Sequence, residues 1–496
     1  MKWKLLYFHL LAAVILTSCR QPQVHDAIKL NRLPDIFPDY TEVTIPYNIA
    51  PLNFRLNDSC ATIAVVVEGR DEKLESSNDG NKIYFDLKKW AELLEHHKGQ
   101  QLQLTVFAQN NGQWHQYKPF VITVSNEPVD GYLVYRLILP GFQSWNEMGI
   151  YQRSLSTFSQ EPILNSKLMP GTCMNCHSFA QNDPDNMVLH LREFNGGTIL
   201  IQDGEIDRLH TKTEEMFASA AFPYWHPSRK YIAFSIDKVR QIFHSIGPHR
   251  AHVIDLKSDM VVYDIVKNEM ITSSLLFSEN AFETFPCFSP DGKTLFFCSS
   301  KPGKLPVDYA KMKYSLCSIS FDPETGTFGD RVDTLISAAK INKSISIPRV
   351  SPDGRFIMFN LFNYGNFPSY NPESDLYLYD LLGEKYRPLT RLNSNNVESY
   401  HSWSSNGRWT VFSTRRVDGL YSTPFIAYMD EDGNPGKPFL LPQEDPDFYQ
   451  NFLYSFNLPE FVIDKVKVDP YKLEDMAKNS PGKQVLFRGI QQVKNE

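Results

Sequence analysis

The sequence lacks several features that would assign it quickly to a class of protein. It has no excess of basic residues, because 57 Asp and Glu outnumber 50 Lys and Arg and give a net charge of −7. That balance disfavours nucleic acid as a partner. A Gly-x-Ser-x-Gly motif is missing, which argues against a serine hydrolase domain. A second Cys-x-x-Cys or a His-x-x-x-His is also missing, which argues against a zinc site.

Long apolar runs are scarce as well. One such run covers residues 5–16 and is too short for a permanent transmembrane helix. It follows two lysines and ends at Ser18-Cys19, the arrangement of a secretory signal peptide. Because Ser18-Cys19 resembles the lipobox of bacterial lipoproteins, we predict a signal peptide over residues 1–19 and a lipid on Cys19. The alternative is an ordinary signal peptide with a cysteine near its cleavage site.

Export predicts a location in the bacterial cell envelope, where a lipid anchor would hold the protein to a membrane, facing the periplasm or the cell surface. Residues 20–39 are polar and lack periodicity, so we predict a tether there. The rest of the chain is rich in aromatic residues, proline and glycine, with 34 Phe, 24 Tyr, 32 Pro and 25 Gly. That composition is typical of many short strands joined by tight turns and predicts an all-β fold.

Residues 40–139 are predicted to form a β-sandwich-like domain with one helix. Runs such as residues 61–67 are rich in β-branched residues and favour strands. Asp86 is placed to cap a helix over residues 87–96. The apolar stripe of that helix consists of Leu87, Trp90, Leu93 and Leu94.

The motif with the clearest chemistry is Cys-x-x-Cys-His at residues 173–177, near the end of a segment, residues 140–186, that we predict to be an irregular connector. This spacing is the attachment signature of c-type haem. Cys173 and Cys176 would form thioethers to the porphyrin, and His177 would be the proximal ligand of the haem iron. Because c-type haem is attached outside the cytoplasm, the motif agrees with export. A redox dithiol, a disulfide or a metal site stays open as an alternative.

A haem that only transfers electrons needs a second axial ligand. The candidates after the motif are Met187 and His190, with Met169 a further possibility before it. If residues 187–191 form a strand, Met187 and His190 lie on opposite faces, so at most one of them can reach the iron. The pairing of the remaining cysteines cannot be deduced from sequence, and we expect unpaired core residues. These are Cys60, Cys287, Cys298 and Cys317.

A repeat fills residues 187–460. Four copies of one hairpin pattern begin at Trp225, Phe288, Val350 and Trp403, and each has a tight turn followed by an aromatic-rich strand. Two copies contain Ser-Pro-Asp-Gly, whereas Ser228-Arg229 and Asn406-Gly407 replace Asp-Gly in the first and the fourth. Residues 187–201 provide a further, degenerate copy. The spacing predicts one four-stranded blade per copy, and residues 461–496 are left as a C-terminal tail.

Ser-Pro-Asp-Gly followed by such a strand resembles the blades of TolB-like β-propellers, which implies a propeller of five or six blades after the N-terminal domain. The chain is similar to exported TolB-like lipoproteins that carry Cys-x-x-Cys-His ahead of the repeats, a family often labelled cytochrome c biosynthesis protein. We therefore expect a lipid-anchored propeller that binds covalent haem c for electron transfer or haem-linked binding, with an unknown envelope protein or redox partner. The alternative is a non-catalytic scaffold that binds protein or glycan, with Cys173 and Cys176 as a disulfide. An enzyme is the less favoured interpretation.

Overall fold

The computed structural model describes residue 24 and residues 26–139, 147–244, 249 and 251–493. The predicted signal peptide, the lipidation residue Cys19, the start of the tether and part of the predicted connector lie outside the described residues. No helix within the described ranges is long and apolar enough to cross a membrane.

Strands are the main regular structure of the described chain. Up to residue 126 they are β1 Ile28–Lys29, β2 Ile36–Phe37, β3 Thr44–Pro46, β4 Phe54–Leu56, β5 Thr62–Glu68, β6 Lys73–Asp79, β7 Lys82–Ile83, β8 Gln101–Asn110, β9 Gln113–Gln116 and β10 Phe120–Ser125. The next group is β11 Tyr132–Ile138, β12 Met148–Ser154, β13 Gln160–Asn165, β14 Thr172–Phe179, β15 Asn186–Glu193, β16 Gly197–Gln202, β17 Glu205–His210, β18 Ala220–Trp225, β19 Tyr231–Phe243, β20 Ala251–Asp264 and β21 Glu269–Ser273.

The remaining strands are β22 Phe282–Phe288, β23 Thr294–Ser300, β24 Ser315–Asp322, β25 Thr327–Phe328, β26 Asp333–Ile336, β27 Ser344–Val350, β28 Phe356–Phe362, β29 Asp375–Asp380, β30 Lys385–Pro388, β31 Glu398–Trp403, β32 Trp409–Thr414, β33 Thr423–Tyr428, β34 Phe439–Leu440, β35 Ser455–Val462, β36 Lys483–Gln484 and β37 Leu486–Gln491. The α-helices are Leu87–His96, Ala338–Ile341, Phe448–Asn451 and Pro470–Asn479, and two short 3₁₀ helices are Tyr309–Lys311 and Pro368–Tyr370. The predicted all-β class is confirmed.

The chain divides into two compact units. The first consists of residues 1–43, 50–126 and 442–447, and the second of residues 44–49, 127–441 and 448–496. In the first unit β6, β5 and β8 pair in that order, β8 continues to β9 and β10, and β2, β4 and β7 form a separate small sheet. Both sheets and the predicted helix Leu87–His96 lie in this unit, and the sandwich-like packing of the two sheets stays a prediction.

The helix of the first unit follows its sequence pattern closely. It begins after Asp86, whose side chain accepts a hydrogen bond from the Lys89 amide at 2.9 Å. Trp90, Leu93 and Leu94 are buried, whereas Leu87 at the first turn is 42% exposed. The cap and three of the four stripe residues therefore act as the periodicity indicates.

The second unit is a β-propeller. Within the described residues its strands form six sheets, and the strands that begin five of them in sequence are β14, β18, β22, β27 and β31. The sixth sheet runs β13-β12-β11-β35, so a strand from near the C-terminus joins three from the start of the unit. β14, β18, β22, β27, β31 and β35 contact one another in that order, and β35 also contacts β14. These six strands form a closed ring, and we refer to them as the inner strands.

The four predicted hairpins join the inner strands β18, β22, β27 and β31 to the next strand of each sheet. At Ser351-Pro352-Asp353-Gly354 the Ser351 hydroxyl accepts a hydrogen bond from the Phe356 amide at 2.9 Å, and Gly354 has a φ of 75°. The fourth copy, with Asn406 and Gly407, repeats this geometry. The first copy has the same conformation although Arg229 takes the glycine position, with a φ of 60°. The departures from Asp-Gly therefore leave the turn intact.

Three regions differ from the sequence prediction. The part of residues 140–186 that the structure describes is not an irregular connector but contains β12, β13 and β14. Residues 132–138 pair with β12 and β35 in the second unit rather than completing the first domain. The C-terminal tail contains a helix and adds β36 and β37 in parallel to β17 and β21. The sequence misled at β12 and β14 because both strands are buried along most of their length and so lack the alternation of a half-buried strand.

Candidate functional site in the central channel

Each inner strand is interrupted at its middle. In five of them the residue at the interruption has a positive φ between 48° and 55°, which is rare for residues other than glycine. These five residues are Phe222, Phe285, Ile347, Tyr400 and Leu458. They pack against one another, and we call them the apolar plug. In β14 the register skips from Met174 to Cys176, so Asn175 holds the matching position.

The plug separates two cavities along the axis of the propeller. One has a volume of about 350 Å³ and is lined by residues of all six inner strands, among them His177. The other has a volume of about 450 Å³ and is lined by Cys173, Asn175 and three arginines. Tyr400 and Leu458 line both cavities. We call them the histidine cavity and the arginine cavity.

The inner strands share a sequence pattern that explains the histidine cavity. In four strands the plug residue is followed by proline. In three of these the next side chain lines the cavity, as in Phe222-Pro223-Tyr224 and Leu458-Pro459-Glu460. In β14 the corresponding residues are Asn175, Cys176 and His177. The second half of the Cys-x-x-Cys-His motif is thus also one copy of the inner-strand repeat.

The sequence analysis missed most residues of this cavity. Tyr224, Arg349 and Glu460 line it, but they were not singled out as candidates. The signal that could have found them is the recurring apolar-Pro-polar triplet, because a proline at a fixed place in an otherwise β-rich run marks a bulge or an unpaired position.

His177 and Glu460 are the central polar pair. The Nε2 atom of His177 lies 4.0 Å from the Oε2 atom of Glu460, and the Oε1 atom of Glu460 accepts a hydrogen bond from the Phe179 amide at 3.0 Å. The His177 side chain is fully buried, and neither ring nitrogen has a hydrogen-bond partner. Since buried polar groups are nearly always hydrogen-bonded, an imidazole without partners beside a cavity suggests that a ligand or water supplies them.

Burial disfavours the charged forms of both His177 and Glu460. Burial, reinforced by the positive charge of Arg136, lowers the pKa of His177 to about 3. The Leu458 backbone, which approaches the ring without reaching hydrogen-bond geometry, offsets only part of this decrease. Burial raises the pKa of Glu460 to about 7, against the opposing effects of the Phe179 amide and Arg349. At neutral pH His177 is therefore uncharged and Glu460 exchanges its proton readily.

Aromatic rings form much of the remaining wall. Tyr224, Trp225, Phe288, Tyr400 and Trp403 line the cavity. The Arg349 guanidinium lies 5.3 Å from the centre of the Tyr224 ring, and the Trp403 indole donates to the Arg349 carbonyl at 3.1 Å. The cavity thus combines flat apolar surfaces with a few fixed polar groups, the usual composition of a small-molecule site.

The predicted haem ligands are not brought together. Cys173 and Cys176 lie opposite Arg192 and His190, on one face of β14, whereas His177 lies opposite Leu189 on the other. Cys173 lines the arginine cavity and His177 the histidine cavity. An extended strand puts neighbouring side chains on opposite faces, so Cys176 and His177 cannot both reach one haem from this conformation. The residues as placed do not fit covalent haem.

The candidate distal ligands lie on opposite faces of β15, as the sequence predicted for a strand. Met187 is fully buried in a core cluster with Met174 and Phe179, and Met169 belongs to the same cluster. His190 lies opposite Cys176, and its Nδ1 atom is 3.3 Å from the Thr198 hydroxyl. None of the three joins the pair of His177 and Glu460.

The cysteines of the described residues are all free thiols. Cys287, Cys298 and Cys317 are buried in the core, as expected, and Cys60 is partly exposed. Cys173 and Cys176 are not bonded to each other. Burial raises the pKa of the Cys176 thiol, so the buried member of the pair is held protonated.

No protein-family model matches the sequence, and no curated protein is significantly similar to it. Solved structures with a similar fold include an oligogalacturonate lyase in complex with manganese, at 13% identity and a TM-score of 0.30, over 68% of this chain and 85% of that one. The tricorn protease matches at 11% identity and a TM-score of 0.36, over 79% of this chain and 43% of that one. A prolyl oligopeptidase B from Galerina marginata matches at 11% identity and a TM-score of 0.34, over 78% of this chain and 54% of that one.

The present chain spans about half the length of the two peptidases. At these TM-scores the likenesses carry no argument about what this protein does. Its propeller architecture follows from the closed ring of inner strands.

Proposed function

We propose that this chain is an exported β-propeller binding protein whose histidine cavity holds a small glycan. The observation that carries the proposal is the fully buried imidazole of His177, whose two nitrogens have no partner and which lines the cavity beside Glu460. Leaving such a group unsatisfied costs about 1 to 3 kcal/mol. A ligand that hydrogen-bonds to the ring offsets part of that cost only when it is bound.

The chemistry of the wall favours a sugar. A sugar hydroxyl both donates and accepts hydrogen bonds. It therefore suits the neutral imidazole of His177, which has one donor and one acceptor. It also suits the carboxyl group of Glu460, which exchanges its proton near pH 7. The apolar C–H faces of a sugar ring pack on aromatic side chains such as Trp225 and Trp403, which line the cavity. The volume of about 350 Å³ is that of a small-ligand site, and the apolar plug closes its inner end.

The test is a glycan array probed with the full chain, followed by titration of the best glycan. Tryptophan fluorescence reports the titration because Trp225 and Trp403 line the cavity. We expect His177→Ala and Glu460→Gln each to weaken binding by about tenfold or more, since each removes a hydrogen bond to a buried polar group. Glu279→Gln is the matched control, because the Glu279 side chain is 84% exposed.

Binding that survives His177→Ala, or the absence of any retained glycan, would contradict the proposal. A peptide array is the second arm. If a peptide binds and His177→Ala abolishes that binding while no glycan binds, the occupant is a peptide and the glycan proposal is wrong.

Export and lipid attachment at Cys19 are part of the proposal, and the pattern of residues 1–19 supports them. Cys19→Ser is expected to move the protein from the membrane fraction to a soluble fraction of the cell envelope or to stop its maturation. The mass of the mature N-terminal peptide tests this directly. A wild-type N-terminal peptide without a lipid would contradict the anchor.

Covalent haem is indicated by the Cys-x-x-Cys-His motif alone, does not fit the strand conformation of β14, and is not part of the proposed function. For haem to attach, β14 would have to leave its sheet, because Cys176 and His177 lie on opposite faces of the strand. The redox partner expected from the haem prediction is therefore not part of the proposal either.

A further inference from the structure

The arginine cavity has an unusual balance of charge. Its lining contains Arg136, Arg192 and Arg415, whereas Glu193 is the one acidic residue among the lining side chains. The three arginines come from three different sheets, because Arg136 lies on β11, Arg192 on β15 and Arg415 directly after β32. The chain therefore brings three positive charges from distant parts of the sequence to one cavity of about 450 Å³.

Arg136 shows most clearly that the positive charge of this cavity is poorly compensated. It is 9% exposed and forms no ion pair among the described residues. Its Nη1 atom donates to the backbone carbonyls of Asn175 and Met174, and its Nε atom is buried with no partner. A buried guanidinium that meets only carbonyl dipoles is poorly compensated, since buried charges are usually paired.

Arg192 adds a second cation to the lining of this cavity. It lies opposite Cys173 in the pairing of β14 with β15 and also forms no ion pair within the described ranges. Its positive charge lowers the pKa of Asp237, but burial is the larger effect and raises that pKa to about 7. Asp237 is thus only partly ionised at neutral pH and is a weak counter-charge. Arg415 is held in place over the Tyr370 ring, 4.3 Å from its centre.

We propose that the arginine cavity is a second binding site, which takes the oxyanion group of a small ligand, a carboxylate or a phosphate. Arg136 and Arg192 would donate to its oxygens, because a planar guanidinium matches both groups in a bidentate geometry. This site lies beyond the apolar plug from the histidine cavity and is independent of the glycan proposed there. Its ligand differs in charge, so the two proposals can fail separately.

Cys173 provides a reporter within the cavity. Cys173 is a partly exposed residue that lines the cavity, whereas Cys176, Cys287, Cys298 and Cys317 are buried. In the full chain carrying Cys19→Ser and Cys60→Ser, alkylation by iodoacetamide therefore reports on Cys173. Iodoacetamide is neutral, so a change in its rate measures access rather than attraction of the reagent.

The experiment measures the alkylation rate against the concentration of inorganic phosphate or glucuronate at constant ionic strength, with glucose as the neutral control for glucuronate. We expect saturable protection by at least one anion and none by glucose. Arg192→Gln should weaken the binding of the protecting anion by about ten- to hundred-fold, as expected for the loss of hydrogen bonds to a charged group. Arg331→Gln is the control for general electrostatics, because the Arg331 side chain is 79% exposed.

Protection by phosphate alone assigns a phosphate ligand, and protection by glucuronate alone assigns a carboxylate. Absence of saturable protection by either anion, or equal protection in Arg192→Gln and the parent chain, would overturn the proposal. Circular dichroism of each variant confirms folding, and Arg192→Lys, which keeps the charge, is expected to retain more affinity than Arg192→Gln. Neutral glycans and His177→Ala test the other cavity, so the outcomes of the two experiments are distinguishable.

Discussion

Replacing His177 by leucine tests whether its imidazole is kept for binding rather than for stability. The side chain is fully buried, has no hydrogen-bond partner and lies opposite Leu189 in the sheet, with the Phe179 ring centre 6.1 Å away. Leucine has nearly the same volume and no polar atoms. Removing one buried unsatisfied donor and one acceptor should increase the free energy of unfolding of ligand-free protein by about 1 to 3 kcal/mol at pH 7.5.

The difference between His177→Leu and the wild type should grow as the pH falls. His177 has a pKa of about 3 in the folded protein and the ordinary value of 6.5 when unfolded. Between these values the unfolded state binds more protons, so the contribution of this group to stability is complete above pH 6.5 and is lost as the pH falls toward 3. Leucine does not titrate. At pH 5 the lost contribution is about 2 kcal/mol, from 1.36 kcal/mol per pH unit over the 1.5 units below 6.5.

Denaturant unfolding of both proteins at pH 7.5, 6.0 and 5.0, without ligand, measures these differences, and tryptophan fluorescence with the best glycan measures binding. His177→Leu should be more stable at every pH, increasingly so at pH 5, and should not bind the glycan. A variant that is less stable than the wild type at pH 7.5, by an amount that does not change with pH, would refute the reasoning. It would mean that the imidazole is satisfied in the free protein and serves the fold.

Three further predictions concern the same channel and its turns. Because the pKa of Glu460 is raised in the folded protein, the wild type loses stability as the pH rises from 4.5 to 7. Glu460→Gln does not titrate, so its free energy of unfolding should rise relative to the wild type over that range by about 1 to 3 kcal/mol, measured by thermal or denaturant unfolding. A difference that stays constant with pH would contradict this. Gly354→Ala should cost about 1 kcal/mol, since Gly354 has a positive φ but a Cβ there would lie 3.8 Å from Pro290. Gly292→Ala at the equivalent turn should lower the free energy of unfolding by more, because its Cβ would lie 2.2 Å from the His226 ring. Equal losses of stability in the two variants would show that the ring moves aside freely. In a host with c-type maturation machinery, the full chain should acquire no covalent haem, because β14 separates Cys176 from His177. A reduced pyridine haemochrome spectrum and a haem-stained denaturing gel test this. A c-type band that Cys176→Ser removes would show that β14 rearranges.

Local features were predictable where a short stretch contains its own physical cause. The helix Leu87–His96 followed from the cap at Asp86 and the apolar stripe. The propeller hairpins followed from turn residues that tolerate a positive φ next to aromatic-rich strands, and Arg229 shows that the surrounding strands can impose that φ on another residue. These signals act over fewer than about a dozen residues, so the sequence alone is sufficient to detect them.

What the motif at residues 173–177 does could not be settled locally. Taken alone, its spacing indicates haem, but in the folded chain it is an inner strand, whose extended backbone separates Cys176 from His177. Its membership in the ring depends on β18 and β35, the latter nearly 280 residues further along the chain. No local pattern contains that information.

By itself, the sequence determined the all-β class, the repeated hairpins, the first-unit helix and the likeness to TolB-like propellers, because each depends on neighbouring residues. Only the tertiary structure decided which side chains share a cavity. His177 and Glu460, like Arg136 and Arg192, come from separate sheets and meet because the inner strands close into a ring. The bulges of the inner strands form the plug, which divides the channel into one cavity of aromatic rings and polar side chains around His177 and another lined by three arginines.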